Sequence, residues 1–435
     1  LAALPFTLTK SQQNAIEEIK QDMHQPSRML RLLQGDVGSG KTAVAFMAMV
    51  HAIGSGGQAV IMAPTEILAR QHDINIRKFA DKIGLNVATL TGRDKGKNRE
   101  KVLSQISSGA AHIIIGTHAL FQDDVFFKDL ALVIIDEQHR FGVHQRLQLS
   151  AKGNQCDVLV MTATPIPRTL TLTAYGDMDV SRLTEKPAGR QPIDTRLVLN
   201  DRAEEVMEAL RRKIADKARI YWVCPLVEES EKLDLAAAEE RYLVMQRRFG
   251  KRVGLLHGRM KPQDKDAVMA AFARGDLDIL VSTTVIEVGV DVPEATVMVI
   301  EHAERFGLAQ LHQLRGRIGR GTEKSVCILL YHPHAGEVAK KRLTTMRDTE
   351  DGFLIAEEDL RLRGAGEILG TRQSGLPEFR LASIEHHAAL IKIAFDEARL
   401  ILNKDTDLTS PRGTALRTLL YLFERDTAIK YLRSG

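Results

Sequence analysis

The chain has 435 residues, of which 44% are hydrophobic and 27% are charged, and both proportions are ordinary for globular proteins. They exclude collagen-like, disulfide-rich and disordered classes, and the length predicts two or three domains. Apolar runs stay shorter than the 18 residues of a membrane helix, and the three cysteines are too dispersed for a zinc site or a disulfide framework. With no secretory leader visible, we expect a cytoplasmic protein. The net charge of +4 does not by itself indicate a nucleic-acid partner.

Short apolar runs alternate with helical patterns in the first part of the chain. The runs are those of parallel strands covered on both faces, and they lie at 29–34, 58–63, 112–116, 132–136 and 158–162. The helical patterns between them lie at 41–53, 66–82 and 98–107. This alternation predicts βαβ units in a doubly wound parallel sheet, which is an α/β fold.

The same alternation starts again after an aperiodic stretch at 184–195 that is typical of a linker. Further apolar runs lie at 219–224, 253–257, 278–282, 296–300 and 326–331. Helical patterns then follow at 337–349, 354–363 and 376–402, with a turn predicted at Asp351-Gly352. We therefore predict a lobe at 1–190, a second lobe at 191–336, a helical hairpin with a loop at 337–380 and a C-terminal helical segment at 381–435.

The sequence GDVGSGKT at 35–42 has the spacing of a P-loop, follows a predicted strand and opens a predicted helix. A chance match in a chain of this length is expected on the order of 1% of the time. Backbone N–H groups of such a loop surround phosphates, while Lys41 would reach the β- and γ-phosphates of ATP and Thr42 would bind Mg²⁺. The predicted nucleotide-binding residues are Gly35, Asp36, Val37, Gly38, Ser39, Gly40, Lys41 and Thr42.

Two adjacent carboxylates follow the apolar run at 132–136, in the sequence LVIIDEQH. Asp136 would hold Mg²⁺ through its water shell, and Glu137 would polarise the attacking water as a general base. An acidic surface end of a strand is the alternative. The P-loop upstream favours the catalytic interpretation.

The segment QLRGRIGRG at 313–321 brings Gln313, Arg317 and Arg320 together in the second predicted lobe. Arginines commonly stabilise the charge that develops on a transferred phosphoryl group. We expect ATP to bind in the cleft between the lobes, with these arginines supplied from the second lobe; a basic surface turn is the alternative. Patterns for a zinc protease or an esterase elbow are absent from the sequence.

Taken in order, these motifs resemble those of helicase superfamily 2. They are LTKSQ (8–12), the P-loop, APTEILARQH (63–72), GTHAL (116–120), DEQH (136–139), TATPIPRTL (162–170), LHGRMK (256–261), STTVIEVGVDVP (282–293) and QLHQLRGRIGRG (310–321). The segment at 347–379 resembles the translocation motif that RecG shares with the transcription-repair coupling factor. The whole set, over nearly all of residues 4–380, resembles the bacterial RecG family.

The resemblance implies two tandem RecA-like P-loop lobes, a helical hairpin and C-terminal helices. It implies an ATP-dependent DNA helicase that moves on double-stranded DNA, remodels stalled replication forks and migrates Holliday junctions, with Phe6 stacked on adenine and Gln12 reading its polar edge. Further residues that it assigns to DNA binding or to coupling are Pro64, Thr65, Gly92, Thr117, His118, Thr162, Thr164, Thr283, Thr284, Glu287, Arg347 and Gln373.

The partners that the resemblance implies are branched and double-stranded DNA, a single-stranded-DNA-binding protein, and a wedge domain that precedes the motor in the family. Since the chain begins at Leu1, just before the adenine motif, we expect a monomeric motor fragment without that wedge. Two alternatives stay open at this point. They are the motor of a transcription-repair coupling factor and a DNA-binding module with a non-productive ATP site; an RNA helicase fits the motifs less well.

Overall fold

The fold is taken from a computed structural model, which describes residues 6–136, 156–163, 178–187, 190–225, 231–283, 292–363 and 384–423. The chain divides into two compact units: Leu1–Ile166 with Met178–Leu362, and Pro167–Asp177 with Arg363–Gly435. Among the described residues, the helices are all too short or too polar to cross a membrane.

Strands and helices alternate through the first unit. The strands are β1 (Leu30–Gly35), β2 (Gln58–Met62), β3 (Val87–Leu90), β4 (Ile113–Gly116), β5 (Leu130–Asp136), β6 (Asp157–Thr162), β7 (Asp179–Leu183), β8 (Ile193–Leu199), β9 (Arg219–Val223), β10 (Val253–Leu256), β11 (Ile279–Ser282), β12 (Ala295–Ile300) and β13 (Ser325–Tyr331). Its helices are α1 (Lys10–Met23), α2 (Lys41–Gly54), α3 (Glu66–Ala80), α4 (Gly96–Ser107), α5 (Ala203–Ala215), α6 (Glu231–Phe249), α7 (Pro262–Arg274), α8 (Leu308–Arg315), α9 (Glu337–Asp348) and α10 (Gly352–Arg363), the last of which ends at the boundary of the unit. The second unit contains α11 (Ile384–Lys404) and α12 (Pro411–Leu422).

The first lobe is built on a parallel sheet with the strand order β3-β4-β2-β5-β6-β1-β7. The central strands are buried along almost their whole length, which explains their continuous apolar sequences. Gln34 of β1 pairs with Thr162 of β6, and Asp136 of β5 pairs with Met161. The carboxyl ends of these strands therefore meet at one edge, where open α/β sheets bind their ligands.

The second lobe contains a parallel sheet with the strand order β10-β11-β9-β12-β13-β8. Successive residues of β9 serve opposite faces of this sheet, as the twofold repeat of a strand requires. Tyr221 and Val223 pack in one hydrophobic core, whereas Ile220 and Trp222 pack in the other. Helices therefore cover both faces of this sheet, as the sequence predicts.

Helices α9 and α10 pack on the second lobe. Leu343 and Met346 of α9 and Ile355 of α10 are buried in one of its two cores. Between the helices, the Asp351 carboxylate accepts hydrogen bonds from the backbone N–H groups of Phe353 and Leu354, so it caps the start of α10. The predicted break between two helices is confirmed, but it lies at 349–351, and Gly352 of the predicted turn is the first residue of α10.

The prediction of two doubly wound parallel sheets is confirmed, but three strands were not predicted from the sequence. These strands, β3, β7 and β8, are edge strands of their sheets and carry partly exposed residues, so they lack a continuous apolar run. The predicted linker at 184–195 is wrong at its end, because β8 begins at Ile193. The helix predicted at 376–402 is described from Ile384 to Lys404, and residues 376–383 lie outside the described part of the chain.

Candidate functional site

The P-loop connects the carboxyl end of β1 to the first turn of α2. Gly38 and Gly40 have φ values of +74° and +83°, in the left-handed region that favours glycine. A side chain at Gly40 would also overlap the Gln12 amide group. Since the first N–H groups of a helix have no partner within the helix, the N-terminus of α2 is a suitable place for phosphate.

The Lys41 side chain lies back over this loop. Its Nζ donates hydrogen bonds to the carbonyl oxygens of Gly35, at 2.7 Å, and Asp36, at 2.9 Å. In the same loop, the Ser39 hydroxyl is buried and has no hydrogen-bond partner among the described residues. The loop therefore holds a cation and an unsatisfied polar group where a P-loop receives phosphate.

The two residues of the predicted adenine motif lie in different environments. The Phe6 ring is 46% exposed and packs edge-on against Phe79, with ring centroids 6.2 Å apart. The Gln12 side chain is buried: its Nε2 donates to the Ser39 carbonyl at 2.7 Å, and its Oε1 accepts from the Thr9 N–H at 2.9 Å. Gln12 therefore caps α1 and supports the P-loop, a contact that the sequence did not reveal.

Asp136 ends β5 at the same edge of the sheet, and its Oδ2 lies 2.8 Å from Nε2 of the buried His72 in α3. Asp136 and Thr42 offer a carboxylate and a hydroxyl oxygen, the hard donors that Mg²⁺ prefers. Over the described ranges there is no group of three or more His, Cys, Asp or Glu that could hold a metal. The donor set fits Mg²⁺, which usually keeps several waters and binds phosphate oxygens alongside one or two protein ligands.

The second lobe contacts the P-loop directly. His312 Nε2 of α8 is hydrogen-bonded to Asp36 Oδ1, and a side chain at Gly316 would come within 2.7 Å of Val37 Cβ. Burial alone would raise the pKa of Asp36, but the hydrogen bond to His312 and the nearby charges of His312 and Lys41 bring it below its ordinary value. Asp36 is therefore an anion within the contact between the lobes.

The predicted arginines lie just after α8. Arg320 donates to the Gly316 carbonyl at 3.3 Å, and burial, with a contribution from the Arg190 charge, lowers the pKa of Arg320 to about 10. Gln313 and Arg317 are half-buried in the same segment. At neutral pH, Arg320 is therefore a charged and desolvated guanidinium.

Arg315, which sequence reasoning did not single out, is almost fully buried. Its Nη1 donates to the carbonyl oxygens of Met346, at 2.5 Å, and Thr349, at 3.0 Å, while Nη2 lies 3.2 Å from His312 Nδ1. The P-loop Asp36, His312, Arg315 and the end of α9 thus form a continuous series of contacts. A buried arginine is unusual unless it is paired, and the burial of Arg315 is visible only in the structure, since no local pattern in the sequence marks this residue.

Residues predicted to meet DNA in the first lobe follow the ends of strands β2, β3 and β4. Thr65 caps α3, accepting from the Leu68 N–H at 3.3 Å. Thr117 is buried, with a hydroxyl that has no partner among the described residues, and His118 beside it is exposed. The other two predicted residues in this lobe are Pro64, after β2, and Gly92, after β3.

Thr162 and Thr283 are buried, each at or just after the end of a strand, β6 in the first lobe and β11 in the second. Arg347 is exposed and pairs with Asp348 at 2.7 Å. Five predicted residues lie outside the described part of the chain, and these are Glu137, Thr164, Thr284, Glu287 and Gln373.

One further basic residue joins the lobes. Arg93 follows Gly92 and forms ion pairs with Glu66 of α3, at 2.5 Å, and with Asp266 of α7 in the second lobe, at 2.9 Å. The Arg93 side chain is about one-third exposed, so it lies at the surface between the two lobes.

Three protein families match consecutive parts of the chain. They are DEAD/DEAH box helicase over residues 9–173, helicase conserved C-terminal domain over residues 201–322, and the C-terminal part of domain 3 of ATP-dependent DNA helicase RecG over residues 349–429. Curated relatives named ATP-dependent DNA helicase RecG are 51% identical in Pasteurella multocida and 49% identical in Bacillus subtilis, covering 93% and 96% of this chain. The chain belongs to the RecG family.

The chain spans 59% and 61% of the length of these two members of the RecG family. A solved structure of RecG bound to a three-way DNA junction is 46% identical in sequence to this chain, with a TM-score of 0.76. The match covers 90% of this chain and 51% of the RecG chain in that structure. The Mss116p structure bound to single-stranded RNA is only 17% identical to this chain, with a TM-score of 0.58. That match covers 93% of this chain and 87% of the Mss116p chain. The Mss116p likeness shows the fold alone.

Proposed function

We propose that this chain is the ATP-driven DNA motor of a RecG-family helicase. ATP binds at the P-loop, with Lys41 on its terminal phosphates. Thr42 and Asp136 would hold Mg²⁺, which when bound would supply positive charge beside the phosphates, and Glu137 would orient and deprotonate the attacking water. Arg317 and Arg320 stabilise the charge that develops on the transferred phosphoryl group.

The observation that carries this proposal is the contact of the P-loop with α8 and with the segment that follows α8. Asp36 is bonded to His312 of the other lobe, and Gly316 packs against Val37. A nucleotide bound here would touch groups from both lobes. Its hydrolysis would therefore change how the lobes are held together, as a motor requires.

For the substrate, we propose double-stranded and branched DNA, and for the activity, remodelling of stalled forks and migration of Holliday junctions. The support is the similarity to a RecG structure solved with a three-way DNA junction. The hydroxyl groups and backbone at the strand ends near Thr65 and Thr117 suit contacts to the sugar-phosphate backbone. The domain boundaries at 190, 336 and 380, a cytoplasmic location and a monomeric state stay predictions.

The test is ATP turnover on linear duplex, forked and single-stranded DNA of equal length. We expect duplex-containing DNA to stimulate phosphate release more than single-stranded DNA does, and the chelator EDTA to abolish turnover. A protein that binds DNA but releases no phosphate under any of these conditions would be a DNA-binding module instead.

The motor of a transcription-repair coupling factor is the second candidate, because it shares the translocation motif. The match of residues 349–429 to a RecG domain favours the first candidate. Binding to purified RNA polymerase separates the two, since only a coupling factor is expected to bind it.

A further inference from the structure

Arg190 lies against the P-loop from the stretch between the two sheets. Its Nη1 donates to the Val37 carbonyl at 2.7 Å. Its guanidinium packs so closely on Gly38 that a side chain at that position would overlap it. Neither contact follows from a motif, because Arg190 belongs to the segment that the sequence identifies only as a linker.

No carboxylate lies within ion-pair distance of Arg190 in the described part of the chain. Asp36 and Glu350 are near enough for their negative charges to favour the charged form of Arg190. Their carboxylates, however, are hydrogen-bonded to other side chains, Asp36 to His312 and Glu350 to Lys186. A guanidinium has five N–H donors, and the described residues offer the Arg190 group one acceptor, the Val37 carbonyl. Desolvated cations of this kind are costly unless an anion is bound nearby.

The contact of Arg190 with the Val37 carbonyl resembles the contacts that Lys41 makes with the same loop. Its ammonium group rests on the carbonyl oxygens of Gly35 and Asp36, and Arg190 rests on the next one, that of Val37. Three successive carbonyls of the P-loop therefore carry positively charged donors. Hydrogen bonds from a cation to phosphate oxygens are stronger than those to neutral carbonyl oxygens. Both Lys41 and Arg190 are therefore expected to exchange their carbonyl partners for the oxygens of a bound phosphate.

A second cation comes close to Arg190 from the second lobe. Arg320 is half-buried, and the positive charge of Arg190 is near enough to lower the pKa of Arg320. Two positive charges close together beside a phosphate-binding loop favour binding of an anion. The attraction of the anion to both charges offsets the repulsion between them. The terminal phosphate of a nucleoside triphosphate has the charge and the oxygens to do so.

We propose that Arg190 is a nucleotide-binding residue. When ATP binds, the Arg190 guanidinium gives up its hydrogen bond to the Val37 carbonyl and binds the γ-phosphate instead. It would give the segment between the lobes its own contact with the nucleotide, in addition to those of the P-loop and of the segment after α8. The inference rests on the proposed ATP-binding function and assigns one more side chain to that site.

The test is equilibrium binding of a fluorescent non-hydrolysable ATP analogue and of the equivalent ADP, measured for Arg190→Ala and Arg190→Lys. We expect Arg190→Ala to weaken binding of the triphosphate by about tenfold or more, while ADP binding changes by less than about threefold. Lysine should restore only part of the loss, because it lacks the planar guanidinium fork. Arg196→Ala is the matched control, since Arg196 is 65% exposed and pairs with Asp194 nearby on β8.

Equal affinities of the wild type and Arg190→Ala for the triphosphate would overturn the proposal, as would equal losses for both nucleotides. If the wild type binds neither nucleotide, the proposed ATP-binding function itself fails. Should the variant not fold, arginine modification by phenylglyoxal gives an answer on the wild-type protein. We expect the triphosphate analogue to protect Arg190 from labelling and ADP to protect it less, with Arg196 labelled throughout; equal labelling of Arg190 in all samples would contradict the proposal.

Discussion

Two side chains, those of Lys41 and Glu137, have different parts in the proposed reaction. Lys41→Ala removes the cation that lies over the loop carbonyls, so we expect both nucleotide binding and turnover to be lost. Glu137→Gln keeps the side-chain shape but removes the base. We expect it to bind ATP normally and to hydrolyse it about 10²-fold more slowly, or worse.

These expectations are checked by steady-state phosphate release alongside equilibrium binding of a fluorescent ATP analogue. Lys97→Ala, which changes an exposed lysine of α4, is the control and should leave both measurements unchanged. Near-normal turnover of Glu137→Gln would show that another group positions the water.

The three cysteines give a prediction that depends on pH. All of them are buried, and burial raises the pKa of Cys156 to about 11 and that of Cys327 to about 12, and also raises that of Cys224. Since the thiolate is the reactive form, about one Cys156 side chain in a thousand is reactive at pH 8. We expect a coloured disulfide reagent to titrate no thiol quickly in the folded protein and three in guanidinium, with Cys156 reacting faster as the pH rises towards 11. A thiol that reacts fully within seconds at pH 8 would contradict this.

Among the secondary-structure elements, predictability follows burial. Strands such as β2 and β12 are buried on both faces, so their sequences are continuously apolar and predict them directly. The edge strand β8 is buried only at Thr195 and is exposed at Asp194 and Arg196, and Pro192 immediately before it favours a loop interpretation. Its pairing with β13 is a long-range contact, which sequence periodicity does not report.

The same distinction applies to the site. The P-loop is one contiguous segment whose conformation depends on its own glycines, so its spacing is sufficient to predict it. The partners of Asp36 and Val37 are His312 and Arg190, which come from distant parts of the sequence. Lone His and Arg residues carry no local signal, and it is the packing of the two lobes that gives them a role.

The ion pairs of Arg93 give a prediction about the surface between α3 and α7. DNA phosphates that approach the residues after β3 would compete with Asp266 for the Arg93 guanidinium. Asp266→Asn removes a negative charge from this surface, and we expect DNA to bind about threefold more tightly at low salt. The difference should disappear at high salt, because exposed charges are then screened.

Salt-dependent binding of a labelled duplex measures this effect. Asp276→Asn is the matched control, because Asp276 is an exposed acidic residue just after α7 that pairs with Arg274. Unchanged affinity of Asp266→Asn, or a change that does not depend on salt, would show that Arg93 does not contact DNA.

A substitution in helix α9 is expected to separate ATP hydrolysis from movement along DNA. Arg347 is exposed and its ion pair with Asp348 is a surface pair, so it contributes little to folding. We therefore expect Arg347→Ala, and Gln373→Ala in the rest of the translocation motif, to keep the melting temperature and ATP turnover while losing movement along duplex DNA. Displacement of a third DNA strand and phosphate release, measured on the same samples, provide the comparison.

Lys340→Ala is the matched control for Arg347→Ala. Lys340 lies on the same helix, is exposed and pairs with Glu337 at 3.2 Å. If hydrolysis and movement fall equally in the Arg347 and Gln373 variants, these residues serve the structure of the hairpin rather than coupling.

For the whole molecule, the residues predicted to meet DNA in the first lobe would all make one kind of contact. They offer hydroxyls, a histidine and backbone groups at the ends of parallel strands, as at Thr65, Thr117 and His118. Such groups bind phosphate and sugar, which are the same in linear and branched DNA. The 435-residue polypeptide is therefore expected to bind a fork and a duplex of equal length with similar affinity.

This last prediction is tested by titrating the 435-residue polypeptide with a fork and with a linear duplex at several salt concentrations. The full-length relative from Bacillus subtilis serves as the reference, because this chain covers 61% of it. Binding to both DNAs should weaken steeply with salt, since phosphate contacts release counterions. A tenfold preference of the 435-residue polypeptide for the fork, about 1.4 kcal/mol, would mean that the residues present here recognise branch geometry themselves. A preference that appears only in the longer relative would instead assign recognition of the branch to the part of that protein that this chain does not cover.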